Sequence, residues 1–273
     1  MSLITLTTDW SSDDFYVSAV KGKILSKLPD VSIVDINHHI QRFNIAQAAF
    51  VLRHSYLNFP KATVHLIGVN SESTEKNPHI VILYNGHYFI GADNGIFGLL
   101  IDSKPDEIVK LVSNDNCTFP ELSVFTDAAV HLIKGGKMSE LGINTDYYYK
   151  KTSMLATIDS NAITGSIIYI DSYMNAITNI SRELFERVGN GRSFEILVQT
   201  NHYKINKINK MYYESSVGEL LAIFNSLDLI EIAMNKGNVA ELLGLNLNSV
   251  VRIKFFDSNN QKGSLDLLSN FVK

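Results

Sequence analysis

The sequence predicts an α/β N-terminal domain, a mainly parallel sheet with flanking helices, followed by an all-β C-terminal domain of barrel or sandwich type. Three observations carry this. In the first half, short apolar runs alternate with stretches of helical period, the pattern of strand–helix–strand units with parallel pairing and right-handed crossovers. Within that half, Asn85-Gly86 sits between two apolar runs and is the strongest short hairpin signal in the chain. From about residue 158 helical stretches become rare and short strands follow one another. The boundary is expected between residues 150 and 160, dividing 1–155 from 156–273.

In order, "LITLTTD" reads as a buried strand and "SSDDFYVSAVKGKILSKLP" as a helix. Ser11 or Ser12 is expected to cap that helix, Asp13 and Asp14 suit its first turn, and Pro29 stops it. "VSIVDI" is the next strand, "NIAQAAFVLRHSYLNFP" the next helix and "ATVHLIGV" the third strand. The hairpin centred on Asn85-Gly86 follows, then a tight turn at Asn94-Gly95 and a helix in "ELSVFTDAAVHLIKGG" ended by Gly135-Gly136. The second half offers strands in "GSIIYID", "AITNI", "SFEILVQT", "HYKINKI", "LLAIFNS", "LIEIAM" and "VVRIKFF", with short helices near "SRELFERV" and "NVAELLG".

Composition excludes several classes. Apolar residues at 45% and charged residues at 19% give a foldable globular chain rather than a disordered one. The net charge of −4 and the spread of basic residues leave no footprint for nucleic acid or an anionic membrane. Cys117 is the only cysteine, so no intrachain disulfide forms and a reducing compartment fits. The opening "MSLITLTTDWSS" has no basic or long apolar stretch, so no signal peptide is expected, and with no apolar run of about 18 residues a cytoplasmic protein without a membrane partner is expected.

No phosphate-cradling glycine motif is present; Gly91, Gly95 and Gly98 follow the hairpin and are read as turn residues. His38 and His39 are adjacent on an extended segment and so point to opposite faces, which argues against a shared metal. His65 lies within an apolar strand and reads as a core histidine. Asp9 ends the first strand, at the edge where α/β sheets hold ligands; it either caps the following helix or accepts both hydroxyls of a ribose. Asp171 and Asn175, four residues apart at a strand end, form either a turn or part of a ligand site.

Six blocks occur together in one order: "TTDWSSDDFYVSAVKGKI", "VSIVDINHHIQRFNIAQAAFVL", "FPKATVHLIGVN", "YFIGADNGIFGLL", "GSIIYIDSYMNAITNI" and "FNSLDLIEIAMNKGNVAELLGL". With them the chain resembles the S-adenosyl-L-methionine (SAM) hydroxide adenosyltransferases, adenosine-forming SAM hydrolases that share a fold with SAM-dependent fluorinase and chlorinase. The resemblance implies a homotrimer that binds SAM between domains of neighbouring subunits, with SAM as substrate or ligand and no further cofactor. It implies a ribose-binding acid at Asp9, a second acid at Asp14 and an aromatic near the ribose at Phe43. Asp171 and Asn175 match the acid and amide that contact the methionyl amine and the adenine, Ser226 falls at the methionyl carboxylate, and Tyr212 is the adenine-side aromatic. Tyr173 stands where most hydrolases have Phe, Met174 where they have Gly, and Leu227 where the fluorinase has Arg.

The hydrolases read D-P-G-V-G-T-x-R after the third strand and later T-F-H-G-R-D, and their Asp, Arg and His hold the attacking water. Here the Asp position is Asn70, the Arg position of a loop one residue shorter is Lys76 or Asn77, and "TFPELS" puts Pro120 at the His. Displacing a neutral thioether from a sulfonium requires a placed nucleophile, not an acid on the leaving group. Asn70 and Pro120 offer no base, and Lys76 is ordinarily protonated. The first expectation is therefore a SAM- or adenosine-binding protein with hydrolysis lost or strongly reduced. The alternatives are a working hydrolase with Glu72, Glu75 or Glu121 as base, and a trimeric interaction protein with no nucleotide ligand.

Overall fold

The computed structural model describes residues 2–112, 118–199 and 203–257; Cys117 lies outside them. The chain forms two compact units, Met1–Ser153 and Met154–Lys273.

In the first unit the elements run β1 (Leu3–Thr8), α1 (Phe15–Lys27), β2 (Ser32–Asn37), α2 (Ile45–Arg53), β3 (Val64–Gly68), β4 (His79–Tyr84), β5 (His87–Ala92), α3 (Ile96–Leu100), β6 (Glu107–Leu111), α4 (Thr126–Ile133) and β7 (Gly142–Asn144). They build a seven-stranded sheet of order β2-β1-β3-β5-β4-β6-β7. Pairing is parallel from β2 to β5 and antiparallel from β5 to β7, because the hairpin inserts β4 between β5 and β6. At the hairpin tip Asn85 (φ 51) and Gly86 (φ 76) are both left-handed, the geometry whose twist matches paired strands.

Helices cover both faces of this sheet, so the central strands are buried throughout rather than alternating. On one face Val20 and Ile24 of α1 and Ala128 and Leu132 of α4 pack on Ile4, Leu6, Leu66, Val81 and Ile90. On the other, Ala48, Ala49 and Leu52 of α2 and Ile96 and Phe97 of α3 pack on Ile67, Ile80, Ile82 and Phe89. His65 belongs to this second face: it is fully buried, stacked on Phe89 at 4.8 Å, and bonded to Thr5 Oγ1 at 2.7 Å and His87 Nδ1 at 3.2 Å.

Three local expectations are corrected. The N-cap of α1 is Asp14, not Ser11 or Ser12, and Ser11 (φ 67) turns the chain in the loop before it. Of the three glycines after the hairpin only Gly95 (φ 99) makes a turn. Gly91 lies within β5, and Gly98 lies in α3 with the Lys151 backbone against it. The fourth helix begins as a π-helical turn over Glu121–Phe125 before α4.

The second unit contains β8 (Thr157–Asp159), β9 (Ala162–Ile170), β10 (Ala176–Ser181), α5 (Arg182–Gly189), β11 (Ser193–Val198), β12 (Lys204–Ile205), β13 (Ile208–Asn209), β14 (Leu220–Phe224), β15 (Leu229–Met234), α6 (Val239–Leu243) and β16 (Val250–Phe256). The path β12-β11-β16-β9-β10-β15-β14-β13, with β8 added on β9, is a nearly closed barrel-like sheet. Ile163, Ile167, Ile180, Ile196, Ile230, Ile232, Val251 and Ile253 fill its interior. The strand expected in "HYKINKI" is split into β12 and β13, which lie at opposite ends of the path.

Candidate functional site

A cleft of about 1220 Å³ opens in the first unit where β1, β3 and β6 end and β4 begins. This is the carboxyl edge of the parallel strands, where backbone ends and loops converge without side chains of the sheet itself filling the space. Asp9, the residue after β1, lines it. Its N–H donates to the Gly68 carbonyl at 3.3 Å, which ties it to the end of β3, and its Oδ2 accepts from the Phe43 N–H at 2.8 Å. Asp9 therefore does not cap α1; among the described residues its Oδ1 carries no hydrogen bond. Phe43 is left-handed (φ 64) and, 71% exposed as a residue, lines the cleft. Asp14 caps the α1 backbone in extended conformation but its carboxylate makes no capping bond, and it too faces the cleft.

Trp10, Tyr16 and Phe119 form an aromatic wall, with Phe119 edge-on to Trp10 at 5.3 Å and to Tyr16 at 5.1 Å. The Trp10 indole lies directly on Gly68, where an added Cβ would stand 2.4 Å from the ring. Sequence reasoning missed this wall, although a lone tryptophan beside Asp9 was a usable signal.

The loop after β3 forms the opposite side. Asn70 is left-handed (φ 46), and the Asn94 amide clamps it by donating to the Val69 and Asn70 carbonyls at 3.1 and 2.8 Å. Asn70 and Pro120 both line the cleft. Lys76 and Asn77 do not: a turn from Thr74 to Asn77, closed by Thr74 N–H to Asn77 O at 3.2 Å, carries them away. Glu72 and Glu75 are exposed loop residues. Glu121 is different. It is buried behind Ser71, whose hydroxyl donates to Glu121 Oε1, and the Ser71 carbonyl accepts from His79 Nε2 at 2.8 Å. Burial pushes the Glu121 carboxyl above its usual range, and the charge of Asp9 adds to this while the Ser71 bond opposes it. Burial likewise pulls His79 below its usual range.

His38 and His39 diverge. His38 is buried against Thr8 Oγ1 at 2.8 Å and Asp35 Oδ1 at 3.0 Å, the latter contact poorly aligned for a hydrogen bond, whereas His39 reaches Ser12. Among the described residues no group of three or more His, Cys, Asp or Glu side chains is arranged to hold a metal.

The other candidates lie in the second unit. Asp171 Oδ1 accepts from the N–H groups of Tyr173 and Asn175 at 2.9 and 2.8 Å, and its Oδ2 from the Asn175 amide at 3.2 Å. The pair does close a turn, with Tyr173 projecting 77% exposed and Met174 held left-handed (φ 63). Ser226 is exposed at the tip joining β14 to β15, where the Asn225 side chain accepts from Leu227 and Leu229 N–H at 3.0 and 3.2 Å. Tyr212 donates to Glu231 Oε1 at 2.7 Å, and the Asn225 amide to Glu231 Oε2 at 3.2 Å. Glu231 is a buried carboxylate that the sequence reading did not single out. Burial pushes both Glu231 and Tyr212 upward.

The sequence matches the SAM hydroxide adenosyltransferase N-terminal domain over residues 4–142 and the C-terminal domain over residues 165–252. The chain belongs to the SAM hydroxide adenosyltransferase family. Within that family it is 28% identical over 263 residues to a Methanocaldococcus jannaschii protein named (R)-S-adenosyl-L-methionine hydrolase, covering 93% of this chain and 96% of that one. It is 24% identical to a protein of the same name from Thermus thermophilus, covering 93% of this chain and all of the relative. Among solved structures it resembles an uncharacterized conserved protein from Thermotoga maritima, with a TM-score of 0.83, 25% identity and 92% and 99% coverage of the two chains. The N-terminal match falls within the α/β unit and the C-terminal match within the nearly closed β unit.

Proposed function

We propose that the N-terminal cleft binds the adenosyl group of SAM or of adenosine, and that hydrolysis is lost or strongly reduced relative to the hydrolases of the family. The observation that carries this is Asp9: one carboxylate oxygen is engaged by Phe43 and the other is open beside an aromatic wall. A ribose diol is two donors at the spacing a carboxylate accepts, and the wall offers a face for a base or a thioether chain. Five carboxylates (Asp9, Asp14, Glu72, Glu75 and Glu121) line the cleft against two side-chain cations, Arg42 and Lys110. That balance favours a cationic sulfonium over a neutral or anionic ligand.

Reduced turnover follows from Asn70 and Pro120, which lack a base, and from a loop that carries Lys76 and Asn77 outside the cleft lining. In the homotrimer implied by the family resemblance, Asp171, Tyr173, Asn175, Tyr212 and Ser226 of a neighbouring subunit complete the methionyl and adenine side. Calorimetric titration with SAM and adenosine, followed by chromatography for released adenosine and methionine, tests both halves. Absence of binding by either ligand defeats this reading in favour of an interaction protein. Adenosine release at the rate of the family's hydrolases defeats only the claim of reduced turnover.

A further inference from the structure

We infer that Ser71 and Glu121 form a proton-accepting pair on the cleft wall, Ser71 Oγ contacting the attacking water and Glu121 taking the proton behind it. The inference rests on the reading that SAM occupies the cleft. Glu121 is 3% exposed, and among the described residues it has no cationic partner; the one other side chain bonded to its carboxyl there is the Ser71 hydroxyl. A buried carboxylate without a cation is costly, and a core position is served better by an apolar side chain. Ser71 is half-buried and lines the cleft, and its hydroxyl contacts the acid behind it. The backbone around the pair is shaped for that contact. Glu121 opens a π-helical turn, a rare departure found frequently at functional sites, and the His79 imidazole fixes the Ser71 carbonyl from the other side. Glu72 and Glu75, the other acids of the loop, are exposed and have no such neighbour.

The step balances without a co-reactant. The water oxygen bonds to C5′ as the C5′–S bond breaks, and its electron pair leaves on sulfur to give neutral methionine thioether. One water proton passes to Ser71 Oγ while the Ser71 proton passes to Glu121 Oε1. Adenosine is the other product, and protonated Glu121 returns its proton to solvent. A Ser–Glu relay lacks the cation that orders water in the hydrolases, so the pair supports slow turnover.

The test compares wild type with Glu121→Gln, Glu121→Asp and Ser71→Ala, measuring SAM affinity by calorimetry, kcat and KM for adenosine release, and thermal unfolding. Wild type is expected to exceed the spontaneous rate. Glu121→Gln and Ser71→Ala should each lower kcat at least about tenfold, less than the 10²–10⁴ or so that a well-placed base supplies because the relay itself is slow, with KM within about twofold. Glu121→Asp should recover part of the loss. If Glu121→Gln does not fold, Ser71→Ala on the cleft surface and Glu121→Asp decide. Wild type that binds SAM but stays at the spontaneous rate, or variants that match wild type, overturns the pair alone. Failure of wild type to bind SAM overturns the underlying ligand assignment, and the pair with it.

Discussion

The Phe43 backbone N–H donates to Asp9 Oδ2 at 2.8 Å, across 34 positions of sequence. The bond joins the end of the first strand to a left-handed residue before α2, and so fixes where the carboxylate points before any ligand arrives. A preset acceptor loses less orientational freedom on binding than a mobile one.

Asp9→Ala should therefore weaken adenosine and SAM binding by about 1.5–3 kcal/mol, the usual worth of a charge-assisted bond. Asp9→Asn keeps an acceptor for Phe43 and isolates the loss of charge. Equal wild-type affinities for adenosine and 2′,3′-dideoxyadenosine would remove Asp9 from the ribose.

Replacing Asn70 by Asp, Lys76 by Arg and Pro120 by His together should raise adenosine release above wild type, but by less than the 10²–10⁴ or so that base assistance can supply. The limit is geometric, since residue 76 stands outside the cleft lining and its turn is closed at Thr74 and Asn77. Full hydrolase rates in the triple variant would mean that this loop rearranges on binding.

His65 sets an acid limit on stability. Burial, then the neighbouring His87, lowers its pKa from 6.5 to about 3. Between those values the unfolded chain binds a proton that the folded chain refuses, so stability present above pH 6.5 is lost as pH falls towards 3. The slope from this residue alone approaches about 1.4 kcal/mol per pH unit. In His65→Phe, which keeps the stack on Phe89, denaturant midpoints should fall less steeply over that range. Parallel curves would show that His65 does not titrate between the two states.

Met174 occupies a left-handed conformation that costs most residues about 1–2 kcal/mol. Met174→Gly should accordingly be more stable than Met174→Ala by about 1 kcal/mol, because both lose the side chain and only Ala keeps the strain. Equal unfolding free energies would place the cost elsewhere.

A trimer that shares its sites should be stabilised by ligand through mass action. Light scattering should report three chains, and SAM should raise the melting temperature. A monomer that binds SAM with full affinity would defeat the shared site.

Much of the fold was legible because period and punctuation agree. Asn85-Gly86, the run of parallel strands and the loss of helices in the second half all follow from local rules. Asp9 was legible as the end of a strand, although its engagement by Phe43 was not. Glu121 was hidden by its context: after Pro120 it reads as an ordinary acid in a first helical turn, and only tertiary packing seals it behind Ser71. Glu231 was hidden in a similar way. Alternation along β15 places it opposite the interior residues Ile230 and Ile232, and contact with Tyr212 and Asn225 then covers it. The loop from 70 to 78 carries no period, so the direction taken by Lys76 was set by the turn at Thr74 and Asn77 rather than by any pattern.

The seating of Trp10 on Gly68 makes the two sides of the cleft unequal for anyone wishing to reshape it. Even a methyl group at residue 68 would clash with the indole, and any shift of Trp10 would disturb Phe119, which meets both Trp10 and Tyr16 edge-on. The exposed residues 72 to 75 of the loop after β3 carry no such constraint, and their side chains can change size and charge without disturbing a strand.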